Sequence, residues 1–546
     1  MRLLSITASR LLILLSLSLT SCQSVQLQQK PKLPQDPFVE AYFNHTETAE
    51  YQEPYRQQKR QGDDLEQKIV DAIASAQSTV DVAIQELRLP KIAQALVERQ
   101  NAGVQVRVIL ENNYSRPWSS LTAAEVEKLP QRERDRYQEF RALVDRNQDG
   151  KMTPDEISQG DALVILNQAR VLWIDDTADG SAGSGLMHHK FVIVDQRTVI
   201  VTSANFTTSD VHGDFGSPSS VGNANNLLKI DSPELAQIFT EEFSLMWGDG
   251  SGGQLDSKFG LKKPLRSPQY VQVGNSHISV QFSPTSPTVP WQYSTNGLIG
   301  QVLNTATSSV DLALFVFSEQ RLANILETSH QRNVQIRALI DPSFAFRTYS
   351  EALDMMGVAL SDNCKYEKNN HPWQKAIATV GTPQLPQGDS LHHKFGVVDK
   401  RIVITGSHNW SAAANAKNDE TLLILQNSTV AAHYIQEFER LYTTAQLGVP
   451  ASVQKKMKAQ QQQCKQFQNS PRVDTSANAD NVAVAKINLN TANLEEITAL
   501  PGIGKKLAQR IITARQEKPF TSLTDLERVS GIGTNIVTKL SDRVTW

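Results

Sequence analysis

Ala76-Gln77-Ser78-Thr79-Val80-Asp81-Val82-Ala83-Ile84 returns later in the chain as Ala306-Thr307-Ser308-Ser309-Val310-Asp311-Leu312-Ala313-Leu314. Gly103-Val104-Gln105-Val106-Arg107-Val108-Ile109-Leu110 returns as Asn333-Val334-Gln335-Ile336-Arg337-Ala338-Leu339-Ile340. Asp81 and Arg107 are 26 residues apart, and so are Asp311 and Arg337. Internal repetition at this scale decides the architecture. Each copy reads as helix, strand, helix, strand, with apolar strands suited to a sheet covered by helices. The fold class is therefore α/β, with two pseudo-symmetric α-β-α lobes.

Working outward, each copy opens on a short alternating stretch, Val39 to Asn44 and Ile278 to Ser283, and closes on a β-hairpin. Lobe 1 is expected over about 37–250 and lobe 2 over about 276–446. The polar, Gly-rich run Gly248 to Lys263 connects them. The 546 residues are too many for one compact core. A net charge of only -3 excludes a globally basic nucleic-acid binder, though not a local basic patch.

The hairpins carry the chemistry. Lobe 1 has His188-His189-Lys190-Phe191-Val192-Ile193-Val194-Asp195, then Thr202-Ser203-Ala204-Asn205. Lobe 2 has His392-His393-Lys394-Phe395-Gly396-Val397-Val398-Asp399, then Gly406-Ser407-His408-Asn409. Side chains alternate along a strand, so His188 and Lys190 should share a face, as should His392 and Lys394. His189 and His393 then point away, toward packing or structural hydrogen bonds. Phosphoryl transfer needs a nucleophile, a leaving-group acid and cations around the non-bridging oxygens. Two imidazoles, two lysines and two asparagines supply all of these without a metal cofactor.

The paired H-x-K-x4-D motifs, each followed by S-x-N, resemble the phospholipase D superfamily over about 400 residues. The resemblance implies a covalent phosphohistidine, with His188 as nucleophile and His392 as acid; the residues alone leave those two roles open. It gives Asp195 and Asp399 a structural, supporting place. It also implies that Glu420 orients a catalytic histidine. Lobe 1 has Asn225 at the matching position, a departure that puts equal tuning of the two histidines in question.

Lobe 1 is interrupted over about 119–160. Within the interruption, Asp145 to Glu156 fits an EF-hand loop, with oxygen ligands at Asp145, Asn147 and Asp149, Gly150 at position 6, the Lys151 carbonyl and a bidentate Glu156. Calcium is expected there, as a structural clamp outside catalysis.

Residues 447–484, rich in Gln, Ser and Asn, read as a flexible linker. Beyond them, over 485–546, come Pro501-Gly502-Ile503-Gly504-Lys505-Lys506 and Ser530-Gly531-Ile532-Gly533. Two such units resemble the helix-hairpin-helix pair of competence-type DNA receptors, a small all-α domain. Their glycines permit tight turns at helix N-termini, whose N–H groups bind phosphate without reading bases. The segment has nine Lys/Arg and six Asp/Glu. Lys505, Lys506 and Arg510 are placed to add phosphate contacts.

Residues 1–22 read as an export signal: Arg2 and Arg10, an apolar run Leu11 to Leu19 too short to span a bilayer, then Leu19-Thr20-Ser21-Cys22. The last four resemble a lipobox. That implies cleavage before Cys22 and a lipid anchor in a bacterial outer membrane or cell surface; a plain signal peptide is the alternative. Cys364 and Cys464 could form a disulfide in an exported protein or remain unrelated thiols. Together these readings favour a surface nuclease acting on DNA. Alternatives are a phospholipase D acting on phospholipid and a DNA-binding surface receptor.

Overall fold

The computed structural model describes residues 32–181, 185–469, 487–498, 500, 503–533, 536–537, 540 and 544–546. Cys22, the rest of the expected export signal and Gly502 lie outside these residues, as does the 470–484 stretch of the expected linker. The chain divides into two compact units near Lys465.

The first unit holds both lobes. Lobe 1 is a seven-stranded sheet of β1 (Val39–Phe43), β2 (Thr79–Ile84), β3 (Gln105–Leu110), β4 (Leu172–Asp175), β5 (Lys190–Val194), β6 (Thr198–Thr202) and β7 (Asn226–Asp231), in the order β1-β7-β6-β5-β2-β3-β4. Lobe 2 is a nine-stranded sheet of β8 (Gln269–Val273), β9 (Ser276–Phe282), β10 (Ser309–Leu314), β11 (Gln335–Ile340), β12 (Val380–Thr382), β13 (Lys394–Val398), β14 (Ile402–Gly406), β15 (Thr421–Gln426) and β16 (Gln446–Leu447). Its order is β8-β9-β15-β14-β13-β10-β11-β12-β16. The shared seven-strand pattern is the repeat made visible, with the two repeated strands of each copy running parallel.

That parallel register explains the 26-residue spacing. Asp81 pairs with Arg107 across β2 and β3, and Asp311 with Arg337 across β10 and β11. The Arg107 guanidinium donates from both Nε and Nη2 to Asp81, each at 2.7 Å. It also lies over the rings of Phe243 and Trp247. Arg337 repeats this with Asp311 at 2.7 Å, adding Glu439 at 2.8 Å. Planar stacking with charge pairing is a use to which arginine is suited and lysine is not.

In lobe 1 the helices α1 (Leu65–Ala74) and α2 (Pro90–Asn101) cover the outer sheet face. The Asp64 carboxylate caps the former, accepting from Gln67 N–H, and Pro90 opens the latter, where its missing N–H costs nothing. The insertion contributes α3 (Gln131–Val144) and α4 (Pro154–Gly160), with a small core of Tyr137, Phe140 and Val144. A single turn, α5 (Thr208–Val211), follows β6, and α6 (Pro233–Trp247) closes the lobe. Lobe 2 has outer helices α7 (Thr295–Asn304) and α8 (Gln320–Gln331) and closing helix α9 (Ser428–Thr443). The inner sheet faces and helices α6 and α9 form one continuous core shared by both lobes, with Phe43 of lobe 1 edge-on to Tyr434 of lobe 2. The lobes are therefore halves of one hydrophobic body.

The expected linker needs correction. Helix α10 (Ala451–Asn469) occupies its first half. Val453 is buried against Leu353 and Leu360, Gln460 exchanges two hydrogen bonds with the Ser361 backbone, and Cys464 is disulfide-bonded to Cys364. A glutamine-rich run looks like solvated coil by composition, yet glutamine is a good helix former. The disulfide, the two Gln460 hydrogen bonds and the apolar contacts of Val453 dock this helix.

The second unit has its own core, including Leu489, Ile503, Ala508, Ile511 and Ile532, around α11 (Leu494–Thr498) and α12 (Lys505–Glu517). Among the described residues, no helix is long and apolar enough to cross a membrane.

Candidate active site

The two motif histidines reach a common cleft because the lobes exchange backbone there. Ahead of β5, Met187 bridges Asp419 of lobe 2, and His188 N–H donates to the Asp419 carbonyl at 2.9 Å. Ahead of β13, Leu391 bridges Ala224 of lobe 1, and His392 N–H donates to the Ala224 carbonyl at 3.1 Å. The ladders begin only at Lys190 and Lys394. Each histidine thus sits on the crossing segment before its strand, rather than on the strand as the alternation argument supposed.

His188, His392, Asn205 and Asn409 line a single cavity of about 570 Å³. The His188 Nδ1 lies 2.6 Å from Glu420 Oε2, leaving Nε2 for a substrate. Glu420 also accepts from Ser407 Oγ at 2.7 Å and from Asn418 Nδ2 at 3.1 Å. The His392 Nδ1 instead lies 3.0 Å from the Asn225 amide oxygen, which also accepts from Ser203 Oγ. Each imidazole is therefore held by a residue of the opposite lobe, one by a carboxylate and one by a neutral amide.

The lysines lie buried beside them. Lys190 Nζ donates to Gln85 Oε1 and to the His188 carbonyl, both at 3.1 Å; Lys394 Nζ donates to the His392 carbonyl at 2.7 Å. Burial pushes Lys190 down to about 8 and, with the added repulsion of Lys190, Lys394 down to about 7. Burial, reinforced by these lysines, also holds both histidines well below the usual imidazole range. Burial raises the Glu420 carboxyl. Burial thus disfavours charge on both members of the His188–Glu420 pair. Among the described residues, the side-chain oxygens of Asn205 and Asn409 are buried without a hydrogen-bond partner. Unsatisfied amides facing a cleft are costly unless a ligand completes them.

Other expected residues fall elsewhere. Asp195 and Asp399 lie outside the cleft, at hairpin turns with left-handed backbone (φ 52° and 50°). Their carboxylates accept from the backbone N–H groups of Gln77, Ser78 and Thr79, and of Thr307, Ser308 and Ser309. They pin a turn and touch no reacting group. His189 and His393 are fully buried, facing Glu242 of α6 and Glu437 of α9. Both point away from the cleft, toward the packing or structural hydrogen bonds expected of them.

Sequence reading missed one wall of the cleft. Arg132, Asp135, Arg136 and Glu139 of α3 line it, so the insertion builds the site. Arg136 is ion-paired to Glu86, and Glu139 accepts from the N–H groups of Phe215 and Gly216. Nothing local in a sequence says where an insertion folds back.

These coordinates meet a family model. The model described as "Cardiolipin synthase, PLD-like domain" matches residues 69–247 and 299–442, most of each lobe. The chain belongs to the phospholipase D-like family. A helix-hairpin-helix motif matches 482–545. Among curated relatives, mitochondrial cardiolipin hydrolase of Homo sapiens is 33% identical over 142 residues, covering 26% of this chain and 48% of that one. The Xenopus laevis protein of the same name is 30% identical over 185 residues, covering 33% and 78%. This phospholipase D-like chain therefore spans only about half the length of the first of these relatives. The crystal structure of phosphatidylserine synthase from Haemophilus influenzae Rd KW20 covers 80% of this chain and 95% of its own, at 12% identity and a TM-score of 0.45.

In the phospholipase D-like chain's second unit, Gly504 is the N-cap of α12 and Gly531 has a left-handed φ of 99°. Gly504 and Gly533 have open space where a side chain would be. Lys506 is exposed. Arg510 is exposed on α12, and one of its guanidinium N–H groups donates to the Ser530 carbonyl at 2.9 Å. In the insertion, Asp145 accepts from Asp149 and Gly150 N–H, Asn147 from Asp149 N–H, and Asp149 from Lys151 N–H. Glu156 closes on Thr153 and reaches Asn147 N–H at 3.4 Å.

Proposed function

We propose that this chain is a phosphodiesterase that cuts DNA through a phosphohistidine on His188. The observation that carries the reading is the pair of imidazoles lining one cavity with Asn205 and Asn409. His188 Nε2 attacks phosphorus as the leaving oxygen departs with a proton from His392 Nε2. His392 then takes a proton from water, the oxygen attacks phosphorus, and the phosphorus–nitrogen bond breaks. His188 is the nucleophile because Glu420 sits on its Nδ1 and stabilises the cation that the adduct creates. Lys190, Lys394 and the two asparagine side chains balance charge around the phosphate.

DNA is the favoured substrate because the helix-hairpin-helix unit carries a net charge of +3 within a chain of -3. The cleft itself is mixed in charge, with Asp135, Glu139 and Asp214 beside Arg132 and Arg136. Nonspecific retention of a polyanion then falls to the C-terminal turns. Phospholipid is the second reading, favoured by the relatives named cardiolipin hydrolase. Purified residues 23–546, with and without His188→Ala and with and without 485–546, offered plasmid DNA and phosphatidylcholine vesicles in EDTA, test both. The account expects DNA cleavage that needs His188, falls on deletion of 485–546 and declines steeply with salt. Lipid cleavage indifferent to the deletion overturns the DNA reading, and DNA binding by intact protein that cuts neither substrate makes the chain a receptor.

We also propose an exported, lipid-anchored protein, a reading supported by the Cys364–Cys464 disulfide, which suits an oxidising compartment. Calcium fits the loop by its hard oxygen donors: the side chains of Asp145, Asn147, Asp149 and Glu156, with the Lys151 carbonyl. Its contribution is to stiffen the insertion.

A further inference from the structure

The phosphodiesterase reading leaves His392 without the carboxylate that its partner has, because Asn225 stands where lobe 2 has Glu420. An acid catalyst beside a neutral amide, buried and flanked by lysines, gives up its proton too early in the pH range. The structure places a different carboxylate at this point. Asp210, on the single turn α5, is 4% exposed, and its Oδ1 lies 3.6 Å from His392 Nδ1. It comes from lobe 1, the lobe that supplies Asn225, and it lines the same cavity. The pseudo-symmetric position in lobe 2 is Ala414, so this carboxylate has no counterpart in the repeat.

We infer that Asp210 is a positioning residue that sustains the protonated form of His392 for leaving-group departure, replacing the acid absent at Asn225. The inference rests on the phosphodiesterase reading only for its consequence in turnover; the effect on the imidazole is independent of substrate. The charged groups facing His392 are Lys394 and His393 from its own segment, and Lys190 and His188 from lobe 1. All of these oppose a proton on it, and the Phe315 ring fills another side. Asp210 supplies the nearest negative charge. It has structural bonds too: Oδ2 accepts from Asn205 N–H at 2.7 Å, and Oδ1 from Asn223 Nδ2 at 2.6 Å. A test must separate charge from scaffolding.

Two variants of the full chain do so. Asp210→Asn keeps the shape and removes the charge; Asp210→Glu keeps the charge and displaces the bonds to Asn205 and Asn223. The readout is the His392 titration by NMR of histidine-labelled protein, assigned by difference from His392→Ala. Asp210→Asn should lower the His392 pKa by about one unit, while His188 moves less. In turnover, the alkaline limb of kcat/KM should move to lower pH with the acid limb in place, costing about tenfold above neutrality at little change in KM. Asp210→Glu should keep the wild-type titration and limb. Unchanged His392 in Asp210→Asn overturns the inference, as does Asp210→Glu shifting as far as Asp210→Asn. Inert wild-type protein with the expected titrations would remove the phosphodiesterase reading and leave the role of Asp210 standing.

Discussion

The two halves of the cleft share a backbone and differ in charge. His188 and His392 precede equivalent strands, donate backbone N–H to the opposite lobe and offer Nδ1 to a residue of that lobe. One finds Glu420 at 2.6 Å; the other finds Asn225 at 3.0 Å with Asp210 further out. The lesson is that a repeat conserves placement far more strictly than electrostatics. On the mechanism proposed above, one imidazole carries a covalent phosphoryl group and the other hands over a proton, a division that the unequal partners support.

The sharpest way to break this comparison is to remove the nucleophile. His188→Ala should abolish turnover, a loss of at least about 1,000-fold, with the thermal midpoint nearly unchanged; a stopped assay and a melt check both. Making the halves alike is milder. Glu420→Gln gives His188 the neutral partner that His392 already has, and should cost about 100-fold in kcat with KM little changed. Its acid counterpart in lobe 1, Asp210, should cost less. Equal effects at Glu420 and Asp210 would mean that the roles of the histidines are not distinguished by these partners.

A second pair compares the lobes as scaffolds. Asp81 is the carboxylate partner of Arg107, whereas Arg337 shares its guanidinium between Asp311 and Glu439. Asp81→Asn should therefore destabilise by about 2–3 kcal/mol and Asp311→Asn by about 1 kcal/mol, read from urea unfolding. Smaller still is the acid dependence of the hairpin turns. Burial opposes charge on Asp195 and Asp399, but three backbone N–H groups apiece outweigh it and hold both carboxyls below the usual range. A depressed folded pKa stabilises above the unfolded value of about 3.9 and loses that contribution as pH falls further. Asp399→Asn should flatten the loss of stability below about pH 4, with no change in activity at neutral pH.

The comparison also marks what a sequence can disclose. The lobes, their parallel Asp–Arg strands and the motif residues were legible because each depends on spacing within one segment. Glu420 was legible through the family resemblance and Asn225 as the departure from it, and the service of Glu420 to His188 follows from the crossing of Asp419 beside Met187. Asp210 was not, since it comes from a short turn whose counterpart is Ala414. The cleft wall from α3 escaped because an insertion's return path is a tertiary matter. Helix α10 was misread because composition counts glutamines and does not see the disulfide that docks them.

The most direct measurement is to trap the adduct. A nucleoside phosphodiester with a p-nitrophenyl leaving group needs no acid to depart, so His392→Ala should still release nitrophenolate once and then stall for want of a base. The account predicts a burst of one equivalent and an acid-labile phosphoryl group on the peptide containing His188, located by mass spectrometry. No burst, or a phosphoryl group carried by any residue other than His188, contradicts it.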